Sequence, residues 1–294
     1  MSAALTRLPA HQIAPLLDGY GREIARRRRA SAMGLVVFAL CVLAAGWVAE
    51  VEPRKFVENL PKFTSYIGRL FVLDDGRLVL ADPLEWYWGL GKWLAKLGDT
   101  LLIAYLGTLI GGIGAFLSCF GASANLATGP VMRFVTRRVL EFCRTVPELV
   151  FALLFVVAFG LGPVPGVLAI AIHTYGALGK LFFEVVENID MKPVEGAIAS
   201  GASRWQAIRY AAVPQVLSNF ASYALLRFEI NVRGAAVMGF VGAGGIGQDL
   251  IEAVRKFYYS DVSAILCLVI ATVMLIDLGT ERLRHRLIAA ERKA

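Results

Sequence analysis

Little in this sequence is suited to metal or redox chemistry. It has three scattered histidines and four cysteines, Cys41, Cys119, Cys143 and Cys267, none of them in CxxC spacing. A structural zinc site or a disulfide framework needs its ligands at short, regular intervals, so neither is expected. A Walker A sequence is absent as well: Gly179-Lys180 is followed by Leu181 where a serine or threonine would hold magnesium, so the chain offers no P-loop for a nucleotide. No Ser-His-Asp or paired-carboxylate arrangement stands out, and the single intramembrane histidine, His173, reads as a packed or water-facing residue before it reads as a proton relay. Charge is scarce, at 18% of residues. Three long stretches have none at all: Ala30 to Ala49, Thr100 to Met132 and Leu149 to Gly179.

What fills those stretches is apolar. The chain of 294 residues is 57% hydrophobic, with a mean hydropathy of +0.62, against roughly 45–50% apolar residues in soluble domains. A helix crosses a bilayer with about 20 such residues. Six spans are expected, at about residues 30–49, 100–121, 146–161, 164–184, 211–229 and 261–279. The third and fourth share one uncharged run, which Gly160, Gly162, Pro163, Pro165 and Gly166 interrupt as a tight turn. The first run follows Arg26 to Arg29 and is too long for a signal-peptide core, so it reads as an uncleaved anchor.

A net charge of +7 does not indicate nucleic acid here, because the basic residues flank the apolar runs. Arg7, Arg22 and the four-arginine run precede the first span. Arg133, Arg137, Arg138 and Arg144 lie between the second and third, and Arg282, Arg284, Arg286, Arg292 and Lys293 follow the last. Positive flanks stay in the cytoplasm, which places both termini there. Residues 50–98 balance seven Lys or Arg with seven Asp or Glu and form the one sizeable external stretch. Its Trp86-Tyr87-Trp88 segment, with Trp93, places aromatic rings at headgroup level before the second span.

Two further features need weighing. Gly242-Ala243-Gly244-Gly245-Ile246-Gly247 satisfies GxGxxG but falls between two spans, outside any βαβ unit, so a dinucleotide site is rejected. The glycines instead suit a re-entrant turn at the outer mouth of a path, with Gly244 and Gly245 as candidate lining. Arg227, Glu229 and Arg233 are expected near the outer end of the fifth span and Asp277 near the inner end of the sixth. Arg227 and Arg233 are candidates to attract an anion; the alternative is that Glu229 and Arg233 simply pair along one helix face.

Between the fourth and fifth spans, Pro193 suits the first turn of a short helix and Glu195 its positive end. Gly201 permits a sharp turn, and a second short helix begins at about Ser203. An exposed Trp205 and small residues on one face suit either docking into a groove of another protein or an amphipathic connector on the headgroups. Here the spacing resembles the EAA loop of ABC importer permeases, with Glu195, Ala197, Gly201 and Pro214 in register. Gly196, Ala211 and Val213 replace Ala, Ile and Leu of that pattern. Arg144-Thr145-Val146-Pro147-Glu148-Leu149 and Gly239-Phe240-Val241-Gly242-Ala243-Gly244-Gly245-Ile246-Gly247 resemble the phosphonate permease branch.

The resemblance covers about residues 99 to 280. It implies an all-α polytopic membrane protein of six transmembrane helices with the ABC importer type I permease (methionine-permease-like) fold, in a bacterial inner membrane. Residues 1–98 would hold the cytoplasmic N-terminus, first span and periplasmic loop. Residues 99–280 would form the permease core, and 281–294 a basic cytoplasmic tail. Residues 193–209 would be the coupling helix, with Glu195, Ala197, Gly201, Ala202, Trp205 and Pro214 at the ATPase contact. The implied partners are a second permease copy as a homodimer, two ABC ATPase subunits, a periplasmic substrate-binding protein and membrane lipid. This chain would bind no cofactor, ATP and Mg belonging to the ATPase. The implied cargo is phosphonate or a related phosphorus oxyanion. Phosphite, methionine or another small solute remains open, and from another class a self-sufficient channel or membrane enzyme.

Overall fold

A computed structural model describes the backbone of residues 10–73 and 75–291 and the side chains of residues 19–73 and 75–286. Arg7, Arg292 and Lys293, used above for orientation, lie outside the described residues. The described chain is almost wholly helical, with one isolated bridge between Val72 and Leu78, and it divides into two compact units at Ser65/Tyr66.

In the first unit, α1 (Ala10–Val48) carries the arginine run into the first apolar stretch and is long and apolar enough to cross a bilayer. Glu23 answers part of that positive charge from one turn away, accepting from Arg27 at 3.3 Å. The next helix, α2 (Pro53–Arg69), has all but its last turn in this unit and there places Phe56, Leu60 and Phe63 on one face at helical spacing, with Arg54, Lys55, Glu58 and Lys62 elsewhere. None of its side chains is buried. Such a face suits the plane of the headgroups.

The second unit holds α3 (Pro83–Trp86), α4 (Leu90–Ala122), α5 (Pro130–Thr145), α6 (Glu148–Phe159), α7 (Pro163–Glu187), α8 (Lys192–Ala199), α9 (Arg204–Ala207), α10 (Val213–Met238), α11 (Ile246–Arg255) and α12 (Tyr259–Glu291). Together with α1, helices α4, α7 and α12 are each long enough to span. Two bent pairs bring the number of crossings up to six: α5 with α6, at 85°, and residues 204–241 with α11, at 48°.

The first pair corrects the expectation of a simple third span at residues 146–161. The helix there has only 12 residues, about 18 Å at 1.5 Å each, too short for a core of about 30 Å. Pro147 removes an N–H and pushes Val146 out of helical geometry, so the chain breaks. The stretch before it, read from sequence as a connecting segment, is the helix α5. The fifth span also runs further than residue 229, because α10 stays helical to Met238.

Packing is tightest between α4 and α7. A Cβ on Gly111 would come 2.5 Å from the Ala171 carbonyl oxygen and 2.8 Å from Thr174 Cβ, so only glycine lets the two backbones approach this closely. Three apolar layers follow along the bundle. Leu140, Leu178, Phe182 and Val216 form one near the α8–α9 end. Phe151, Ile170, Val232 and Met238 form the middle, and Trp93, Leu97, Ile246 and Ile265 the far layer.

Trp93 is therefore core, 3% exposed, its ring packed inside the bundle and not facing the headgroups. The indole N–H groups of Trp86 and Trp88 instead reach the start of α12, donating to Ser263 Oγ at 3.0 Å and to Asp261 Oδ1 at 2.9 Å. Nearby, Arg77 gathers Asp75, Asp82 and Glu85. The Arg77 backbone N–H and guanidinium hold the Asp75 carboxyl below the usual carboxylate range.

Two substitutions test this packing. Gly111→Leu forces a side chain into backbone that cannot move aside, and is expected to abolish recovery of monodisperse protein in detergent. Asn231→Val removes a polar link between three helices described below, and is expected to lower unfolding free energy by ~0.5–2 kcal/mol in a mixed-micelle titration.

Candidate functional site

Two places collect the residues singled out from sequence: the connector between α7 and α10, and a polar belt halfway along α10.

The connector is rigid because its backbone groups are satisfied locally. Pro193 lies in the first turn of α8, and Glu195 stands exposed in the same turn. The helix ends with Gly201 at φ +88°. From there the Gly201 N–H donates to the Ile198 carbonyl at 2.9 Å and the Ala202 N–H to the Ala197 carbonyl at 3.1 Å. This crossed pair is the Schellman closure, which needs a left-handed residue at the Gly201 position. Ser203 then caps α9 reciprocally with Gln206: the Gln206 N–H donates to Ser203 Oγ, and the Ser203 N–H to Gln206 Oε1 at 2.7 Å. After α9 the helix widens to a π turn over Ile208–Ala212, with the Val213 N–H donating to the Ile208 carbonyl. Pro214 lacks an N–H and its ring crowds the carbonyl four residues back, which accounts for the widened turn just before it.

One face of this connector is anchored. Val194, Ala207, Ile208 and Ala212 are buried in the layer with Leu178 and Phe182. Arg204 donates to the Leu126 carbonyl, and Gln215 Nε2 to the Asp190 carbonyl at 3.2 Å. The other face is open: Trp205 is 74% exposed, Tyr210 70% and Ile198 54%. Ala197 and Ala202 are half-buried, and Pro214 is exposed.

In the polar belt, Asn231 is fully buried where α4, α7 and α10 meet. Its Nδ2 donates to Thr108 Oγ1 at 2.7 Å and to Thr174 Oγ1 at 2.9 Å. Thr108 and Thr174 lie near the middle of their helices, so Asn231 lies near mid-depth. Arg227 is one turn before it, with Glu148 Oε2 3.9 Å from its terminal nitrogen. Arg233 pairs with Glu229 on its own helix and with Asp277 of α12 at 3.4 Å. The placing of Arg233 and Asp277 at opposite ends of their spans is thereby corrected: they face each other, because α10 extends beyond the expected boundary. His173 Nδ1 donates to the Val146 carbonyl at 3.1 Å, satisfying an oxygen freed by the α5–α6 break.

Gly244 and Gly245 lie apart from this belt, in the buried turn before α11, with φ of +87° and +81°. The turn is held by the Ile246 N–H donating to Thr100 Oγ1 at 2.8 Å. The structure thus brings Arg227 together with Glu148 and Asn231, neither of which the sequence reading selected as a site residue. A polar residue within an apolar span was the available signal for Asn231. The Glu148 partnership had none, since it crosses from one span to another.

Comparison with known proteins agrees with this architecture. Residues 114–289 match the family described as "Binding-protein-dependent transport system inner membrane component". The phosphite transport system permease protein PtxC of Stutzerimonas stutzeri is 36% identical over 92% of this chain and 93% of its own length. The putative cryptic phosphonate transport system permease protein PhnE2 of Escherichia coli is 50% identical over 41% of this chain and 99% of its own. Among solved structures, a chain of the MetNI methionine ABC transporter in an inward-facing conformation superposes with a TM-score of 0.58. At 17% identity it covers 70% of this chain and 98% of that one, a likeness of fold. With the family match spanning more than half its length and a permease similar from end to end, the chain belongs to the binding-protein-dependent transport system inner membrane components.

Proposed function

We propose that the chain is the transmembrane permease subunit of an ATP-driven importer that moves phosphonate, phosphite or a closely related phosphorus oxyanion into the cytoplasm. The observation that carries this is the connector between α7 and α10. Its Glu195, Ala197, Gly201 and Pro214 keep the spacing of the family's coupling loop, and its geometry is a rigid helix–turn–helix with an exposed aromatic face. An exposed tryptophan backed by a buried anchor suits insertion into a groove of a partner. In this reading Glu195, Ala197, Gly201, Ala202, Trp205 and Pro214 form or shape the contact with an ABC ATPase, which binds ATP and Mg and performs the hydrolysis. A periplasmic binding protein delivers the anion. The cargo class is supported by the phosphite and phosphonate permeases that the chain resembles.

A second permease copy completes the path. An apolar groove of about 660 Å³ along α4 and α10, lined by residues including Tyr105, Leu109, Phe116, Phe220 and Phe228, is a surface such a copy would cover. Arg227 and Arg233 lie on the path at mid-depth, with the Gly244–Gly245 turn beyond them shaping its outer part. Both termini are cytoplasmic, by the distribution of Lys and Arg.

The direct test is ATP-dependent uptake of labelled phosphite and 2-aminoethylphosphonate by proteoliposomes holding the permease, its ATPase and its binding protein. Uptake of neither, with a functional ATPase present, refutes the cargo; uptake without ATP refutes the importer.

The connector is tested by Gly201→Asp. It imposes a side chain on a left-handed backbone position and brings a carboxylate to the ATPase contact. Transport and binding-protein-stimulated ATP turnover are expected to fall at least about tenfold while the permease still inserts, and Trp205→Ala to weaken ATPase co-purification by ~2 kcal/mol. Wild-type turnover and co-elution in both variants would exclude this segment as the coupling element.

Orientation is tested with single cysteines in a background lacking the four native ones. Leu80→Cys is expected to react with an impermeant maleimide from the periplasm, and Ser200→Cys only after the inner face is opened. The reverse pattern removes the connector from the ATPase side.

A further inference from the structure

We infer that Glu148 is a resident counter-ion for Arg227, and that the transported phosphorus oxyanion displaces it, making the Arg227 guanidinium the mid-path contact for the cargo. This rests on the reading of the chain as an oxyanion importer permease, and it names a carboxylate and an exchange that the family match does not supply.

Arg227 is midway along α10, with its side chain 14% exposed. A cation at that depth requires a compensating charge. Among the described residues, the one carboxylate within ion-pair reach is Glu148, itself 24% exposed. The neighbouring cation, Arg233, is already held by Glu229 and Asp277.

The pair is incomplete. At 3.9 Å it makes no hydrogen bond, and Arg227 Nε and Glu148 Oε2 are both buried without any hydrogen-bond partner in the protein. An arginine–carboxylate pair is strongest as a forked contact of about 2.7–2.9 Å, and this one stays open. Here the guanidinium keeps free donors, in the fork geometry that matches the oxygens of a phosphoryl group.

Glu148 is also placed to move. It is the first residue of α6, directly after the break at Val146 and Pro147 where α5 and α6 meet at 85°. Its carboxylate passes over Gly234, where a Cβ would collide with Glu148 Oε1. A small rotation of α6 about the break withdraws the carboxylate while α10 stays intact. Exchange of one anion for another then keeps the buried guanidinium neutralised at every stage, with no bond made or broken.

The test uses the full complex in proteoliposomes, with labelled phosphite as probe, and compares wild type with Glu148→Gln/Arg227→Gln and Arg227→Lys. The double variant removes both charges and leaves no unpaired ion. It is expected to assemble and to hydrolyse ATP when given loaded binding protein, yet to move at most about one tenth of the phosphite per ATP. Arg227→Lys, which keeps the charge and loses the fork, is expected to fall between the two. Wild-type phosphite-to-ATP stoichiometry in the double variant overturns the proposal, since the pair would then be structural. Should the double variant not assemble, Arg227→Lys decides: an unchanged stoichiometry overturns the proposal and a reduced one supports it. Absence of phosphite uptake by the wild-type complex is a different result, which counts against the cargo assignment itself.

Discussion

A bilayer interior offers no water to an unpaired peptide group, and at three breaks in the described helices another side chain or backbone group supplies a partner. At the α5–α6 bend the freed Val146 carbonyl accepts from His173 of α7. At the turn between α6 and α7 the Gly162 N–H donates to the Gly242 carbonyl. At the start of α11 the Ile246 N–H finds Thr100 Oγ1 of α4. These contacts join elements far apart in sequence, so the breaks also hold the bundle together. Chain geometry that would be untenable facing lipid becomes the means of closing the structure.

The same economy governs the side chains at mid-depth. Asn231 links α4, α7 and α10 through two threonine hydroxyls, and the small residues around Gly111 bring α4 and α7 close enough for that link to form. Along α10, residues 227, 231 and 234 share one face and residues 229 and 233 another. The first face meets α4, α6 and α7; the second meets Asp277 of α12. One helix thus carries a rigid polar link and a loose charge pair within a single turn of each other. This is what an element needs if it must stay folded while its contacts with a cargo change.

The connector shows the complementary design. Its capping hydrogen bonds are local, and its apolar face is sunk into the layer with Leu178 and Phe182. In the proposed coupling role, a displacement applied at Trp205 would reach α7 and α10 through these packed side chains. Between α9 and α10 the backbone departs from α geometry at the π turn before Pro214.

Local chemistry was legible in the sequence. Apolar runs marked the spans, Lys and Arg clusters pointed to an orientation, and Pro193, Gly201, Ser203 and Pro214 outlined the connector, because each acts through its own backbone or through neighbours a few residues away. Helix ends were less legible: charged residues late in α10 looked like the end of a span, whereas packing against α4, α7 and α12 lets the helix continue to Met238. Most obscure were the contacts of the polar belt. Asn231 and Thr108 are 123 residues apart, Asn231 and Thr174 57, and Arg233 and Asp277 44. Sequence determined that polar groups would lie within the membrane, where none can stand alone. Only the packing of helices across tens of residues decided which of them would meet, and so left Arg227 with a carboxylate near enough to neutralise it and too far to bond.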